Sequence, residues 1–437
     1  MRRERLLNEI LRGKPTAFSQ SIVIGIFFFI YPWSLCCQSV SESVYPQDSI
    51  SILKYLSLQK WDHHPTEFQL NSTILKTSLN LAQSFIVSNQ KSDGTFIYKY
   101  DWIKHSTKGG DDAVREAGAL WGLSLLQRQQ SSLMLQEAVE RGIGFYANQS
   151  KDDVGKTIAV PDSNGNTVKC GTIALLGLSI IDYLRSNPEI SPQHYKNLNT
   201  QLDSYLNTLL WMETKDGHFA YGFIPPTRSL PAQLISKSSP YYDGEALLCL
   251  VEAAKYLGKK DLIPGIETTA KAMVHFYVKP MMVENQDPDD AIKFYQWGAM
   301  SFWEIEEAGW MSSDHLDATL LVMAHWLIYN HQIVSKKINV AQSLEGLLPT
   351  YQLARKENRD AADEIAWVID NILSRTLALQ VGGPFSNQNP FIRDHSTVDP
   401  HAIGGFLRDP INPVLRIDFT QHSMHAVILA LDDLYFH

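Results

Sequence analysis

The chain has 437 residues, of which 44% are hydrophobic and 19% charged, and its formal charge is −9. That length suits one large core or two to three domains, and the acidic balance excludes the basic face that a nucleic-acid partner needs. Aromatic residues are plentiful (10 Trp, 18 Tyr, 18 Phe), and many stand beside Gly and Pro, where flat faces can hold ring-shaped ligands.

Residues 1–37 read as a signal peptide or membrane anchor. The basic stretch MRRERLLNEILRGK precedes the uncharged run SIVIGIFFFIYPWSLCC at 21–37, which is at the lower limit for a membrane span and ample for a signal core. The expectation is an exported or membrane-anchored protein, whether periplasmic, extracellular or lumenal. Asn71 and Asn148 each open an Asn-x-Ser/Thr triplet, which matters if the source cell glycosylates. A polar linker is expected over 38–60 and a single domain over 61–437. Beyond the N-terminal segment only Cys170 and Cys249 remain. They supply neither a disulfide framework nor zinc spacing, so no metal and no cofactor is expected.

From there the chain reads as helix almost throughout. Amphipathic segments such as NSTILKTSLNLAQSFIVSNQ and DAADEIAWVIDNILSRTLAL alternate with segments apolar nearly all round, such as CGTIALLGLSII, GEALLCLVEAAKYL and ATLLVMAHWLIY. The second kind must be buried on every side. Such helices start near 112, 170, 243, 314 and 418, with room for another hairpin around 340–357. The expected architecture is all-α: an (α/α) toroid of about six hairpins, apolar helices inside and polar ones outside. The inner helices then run one way and gather their N-termini at one end, where aligned helix ends favour anionic groups. Long aromatic loops, among them KSDGTFIYKYDW, KDGHFAYGFIPP and QWGAMSFWEIEEAGW, are expected at that end.

This layout resembles the six-hairpin toroid superfamily of glycan-processing proteins, which includes glycosidases, polysaccharide lyases and the helical domains of sugar epimerases. The turn QKSDGTF at 90–96 is also similar to one in terpenoid-cyclase and prenyltransferase toroids, but the zinc-site residues of those proteins have no counterpart here. The resemblance implies an oligo- or polysaccharide substrate.

The helix mouths supply the candidate residues. Asp314 and Asp317 share a helix face, either as N-cap and first-turn acid or as part of the carboxylate chemistry of glycoside hydrolysis, with His315 beside them. Asp418 and Gln421 have capping-box spacing. His422, four beyond Asp418, can be oriented by that carboxylate to act as a base. His422 and His425 are three apart, a spacing that usually binds no metal. Arg416 suits a carboxylate or phosphate on a ligand. Asp112, Arg115 and Glu116 form either an ion pair at a helix start or a tuned acid and substrate clamp. Asp243 reads as a cap, and Glu245, two residues on, points elsewhere. Tyr98, Tyr100, Trp102, Phe219, Tyr221, Tyr241 and Tyr242 are candidates for stacking on a sugar.

The expected function is an exported glycoside hydrolase in which Asp314 or Asp317 faces Asp112 or Asp418. One alternative is a uronic-acid lyase or epimerase using Tyr241, Tyr242, His422, Arg115 and Arg416. Another is a non-catalytic toroid that binds or assembles at a membrane.

Overall fold

The computed structural model describes residues 45–436, apart from 63–69, 111, 154–156, 161–166, 228–229, 313 and 358. The export or anchor segment expected over 1–37 lies outside the described residues. Helix α1 (Tyr45–Leu58) occupies most of the stretch expected as a linker. Hairpins then follow: α2 (Ser72–Ser88) with α3 (Ala113–Gln129), α4 (Leu133–Gln149) with α5 (Cys170–Arg185), and α6 (Pro192–Met212) with α7 (Pro240–Tyr256). Next, α8 (Ile263–Met273) runs through a π-turn at Val274–Val278 into α9 (Lys279–Met281), and its partner is α10 (Asp289–Glu307). The last two pairs are α11 (Leu316–His325) with α12 (Leu344–Glu357), and α13 (Arg359–Leu377) with α15 (Ile417–Asp433). The short α14 (Pro390–Asp394) sits in the connection before α15.

Two concentric rings result. Helices α3, α5, α7, α10, α12 and α15 each pack on the next, and α15 closes back on α3. The first helix of each hairpin lies outside. Burial follows the sequence pattern: every residue of α5 from Cys170 to Leu184 is buried, whereas α13 buries a stripe of Ile365, Val368, Ile369, Ile372 and Leu373. Burying a Leu or Ile side chain contributes roughly 1.5–3 kcal/mol, so it is the inner ring, covered on all sides, that holds the fold together. Close approach within it depends on small residues. At Gly122 of α3, a Cβ would come within 2.9 Å of the Gln421 side chain on α15.

The expected toroid is present, with two helices assigned differently. The stretch QWGAMSFWEIEEAGW, expected as an aromatic loop, is mostly the inner helix α10, and Phe294, Trp297, Phe302 and Trp303 are buried in it. The helix opening at Asp314, expected in the inner ring, is the outer helix α11. It is apolar on every side because α1 covers its outer face, and so it imitates an inner helix in sequence.

Among the described residues, three small sheets dress the connections. Strand β1 (Lys99–Asp101) lies between β2 (Ser106–Lys108) and β8 (Val414–Arg416), with Tyr100 opposite Leu415. This ties the first long loop to the entry of α15. Strands β3 (Lys151–Asp153) and β4 (Thr157–Ala159) pair with each other, and β5 (Val168–Lys169), β6 (Gly222–Ile224) and β7 (Gln233–Ile235) join in that order. No helix among the described residues is long and apolar enough to cross a membrane.

Candidate active site

Because the inner helices run in parallel, their first turns meet at one end. Asp112 is the N-cap of α3 and is ion-paired with Arg115 one turn on. Arg115 Nε lies 3.1 Å from Asp418 on α15, and Asp418 also takes both a guanidinium Nε (3.0 Å) and Nη2 from Arg416. The result is a continuous ladder, Asp112–Arg115–Asp418–Arg416, across the α3–α15 seam. Both guanidiniums lie over the Tyr98 ring, at 5.8 and 5.6 Å from its centre. The capping box expected from Asp418 and Gln421 does not form, because the helix begins at Ile417 with Arg416 as N-cap. Asp418 is thereby released for the arginines, while Gln421 is buried against Gly118 and Gly122 of α3 rather than facing the mouth.

Below the ladder lies a group that sequence reasoning missed. Glu345, fully buried in the first turn of α12, has one carboxylate oxygen 2.9 Å from His422 Nδ1 and the other 3.0 Å from His425 Nδ1. Gln296 of α10 donates to the same carboxylate at 2.8 Å and lies 3.3 Å from His422 Nδ1. Burial alone would raise the Glu345 pKa, but the two imidazoles override it and hold the carboxyl below its ordinary range. Burial alone would lower the His422 pKa, and the facing Glu345 and nearby Asp418 override that, so it sits above the ordinary histidine value. With Nδ1 turned to Glu345, Nε2 is the atom left for substrate, and the His422 side chain keeps 21% of its surface exposed. The indole of Trp297 lies edge-on to His422 at 6.2 Å, and Trp121 edge-on to His425 at 4.9 Å. These rings and the Glu345 cluster floor the mouth. Among the described residues no group of three or more His, Cys, Asp or Glu can hold a metal ion.

The third wall is α7. Tyr241 is 47% exposed, and Tyr242 is tilted against Tyr221 at 5.1 Å between ring centres. Glu245 is buried with Oε2 lacking any hydrogen-bond partner among the described residues. Burial pushes its carboxyl well above the ordinary range, and the nearby Arg115 offsets only part of the effect. Glu245 stands in the sequence as an acid inside an otherwise apolar run at the start of an inner helix.

Several expected site residues serve the fold instead. Asp243 is fully buried and accepts from Phe219 N (2.8 Å) and Tyr277 Oη (2.5 Å), with His218 Nδ1 at 2.8 Å. Glu116 accepts from Phe96 N at 3.2 Å. Trp102 and Phe219 are buried, so neither offers a face to a sugar, and the Tyr100 hydroxyl is held by Asp399 at 2.5 Å. Asp314, His315 and Asp317 stand at the opposite end of the toroid. Asp314 pairs with Lys271 at 3.3 Å. Asp317 lies close enough to Glu306 and Glu357, at the C-terminal ends of α10 and α12, to raise both their pKa values after burial. His315 is the N-cap of α11 in a left-handed conformation, φ 54°. The expected hydrolytic pair of Asp314 or Asp317 with Asp112 or Asp418 is therefore not assembled: an outer helix runs antiparallel to the inner ones and opens at their C-terminal end.

Closed toroids of this form are known among solved structures. A D-mannose isomerase superposes with a TM-score of 0.58 at 11% identity, covering 85% of this chain and 100% of its own. A sugar epimerase from a ruminal bacterium gives 0.56 at 10% identity (81% and 98% covered), and an unsaturated glucuronyl hydrolase specific for heparin gives 0.55 at 10% identity (82% and 97%). These likenesses establish the six-hairpin toroid as the fold. No protein-family model and no curated protein matches the sequence.

Proposed function

We propose that the chain is a carbohydrate-active enzyme that transfers a proton at a sugar carbon, an epimerase or isomerase, with His422 as its base. The observation that carries this reading is the buried Glu345 carboxylate held between His422 and His425, with the His422 side chain still partly exposed. A carboxylate on Nδ1 fixes the tautomer that leaves Nε2 basic, and it stabilises the imidazolium formed once Nε2 has taken a proton. The exposed edges of Arg115 and Tyr241 can hydrogen-bond the oxygen on which charge develops. Toroids similar in fold include a sugar epimerase and a mannose isomerase, which is consistent with this assignment.

Glycoside hydrolysis, the function expected from sequence, stays as a second reading on one observation. Glu245 is a carboxyl whose surroundings favour the neutral form, near the ion-paired Asp112, and such divergent pairs serve as acid and base. The test is incubation with a panel of free-reducing mono- and oligosaccharides, with products separated by chromatography and weighed by mass spectrometry. A product of unchanged mass with altered retention, lost in His422→Asn, is the expected result. Products with added water, lost in Glu245→Gln, would establish hydrolysis instead. No conversion and no binding across the panel would overturn both.

A further inference from the structure

We infer that Asp418 is a specificity-determining residue, a charge filter that closes this mouth to anionic sugars such as uronates. The inference rests on the carbohydrate reading above, and it concerns only which sugars are admitted.

Arginine is the side chain best suited to a substrate carboxylate, because its planar donors match the two oxygens. Here both mouth arginines are already matched. Asp418 fills the bidentate edge of Arg416 and takes Nε of Arg115 at 3.1 Å, while Asp112 takes the other end of Arg115. Asp418 is nearly buried, so these pairs are poorly screened by solvent. Lys293, on α10, is itself bound to Asp290 at 2.9 Å. Beneath the ladder the Glu345 carboxylate is shared between His422 and His425, so the floor offers an incoming carboxylate no unpaired histidine Nδ1. A uronate bound bidentately by Arg416, or through the Nε edge of Arg115, would have to displace Asp418 from that guanidinium and would sit close to the displaced carboxylate. A neutral sugar needs no such exchange, because its hydroxyls can donate to Asp112 and Asp418 and accept from exposed guanidinium edges. Specificity here comes from a repulsive element as much as from attraction. It also weakens the uronic-acid alternative that the two arginines suggested in sequence.

The experiment uses matched sugars that differ only in the carboxylate, glucose with glucuronate and mannose with mannuronate. Binding is read by NMR titration and turnover by chromatography, for wild type, Asp418→Asn, Asp418→Glu and Asp112→Asn. Wild type is expected to prefer the neutral member by about tenfold or more. Asp418→Asn frees Arg416 and one donor of Arg115, and it narrows or reverses that preference. Asp418→Glu keeps the discrimination, and Asp112→Asn moves it the same way as Asp418→Asn but less. Wild type taking glucuronate or mannuronate as readily as its neutral partner would overturn the filter while leaving the carbohydrate reading intact. So would an unchanged preference in both folded Asn variants. If neither member of either pair binds or reacts, the carbohydrate reading itself fails.

Discussion

At the scale of single residues, the proposed chemistry turns on Glu345. It converts two histidines of one helix into an oriented base and its support, although it lies on a different helix. Its effect on pH has a definite sign. The His422 pKa is raised in the folded chain, so the His422–Glu345 attraction contributes stability fully below the unfolded histidine value and loses it as pH rises through the higher folded value. A base must be neutral, so turnover runs the other way and rises with pH through that same titration. Glu345→Gln is expected to move the rising limb of the pH–rate profile to lower pH and to reduce kcat by on the order of 10²-fold. Steady-state rates at several pH values check both effects, and an unmoved limb would remove Glu345 from the mechanism.

At the scale of elements, one device recurs three times. One to three residues past the end of an outer helix, Gln90, Glu213 or Gln380 bridges to Phe96, Phe219 or Phe406. The backbone N–H of each Phe is accepted by the fourth residue of an inner helix: Glu116, Asp243 and Thr420 in turn. Asp243 does this with two further partners in full burial, so Asp243→Ala leaves several buried donors unpaired. It is expected to cost about 3 kcal/mol in denaturant unfolding, with Asp243→Asn costing less. The same device explains what could be read in the sequence. Ring membership was legible where burial alone sets composition, as in α5 and α7. It misled where α1 covers α11, because an outer helix then becomes apolar all round. Asp112, Arg115, Asp418 and His422 were legible as helix-mouth residues. Glu345 was not, since SLEGLLPTYQLARK carries a lone acid and no cluster, and its partners lie 77 and 80 residues away. Contacts at that range depend on ring closure, which a one-dimensional pattern does not encode.

At the scale of the whole molecule, the two ends of the ring differ. Beyond the Trp121–His425 layer lies a cavity of about 90 Å³, lined also by Arg128, Arg185, Glu252 and Asp433. Burial, with Asp432 beside it, raises the Asp433 carboxyl to about 7. A carboxyl with a raised folded pKa favours the native state below its unfolded value and loses that contribution as pH climbs toward 7. Asp433→Asn is therefore expected to gain more in melting temperature at pH 8 than at pH 5, by on the order of 2 °C. A thermal melt at the two pH values reads this directly, and equal shifts would discount the titration. The layer that separates this cavity from the mouth has a further consequence. Trp121, Trp297, Glu345 and His425 are all buried across the bore, so among the described residues the ring is plugged across its middle. Under the proposed sugar chemistry, anything that reaches His422 from the mouth would have to leave by the same end, because the plug bars a way through the bore.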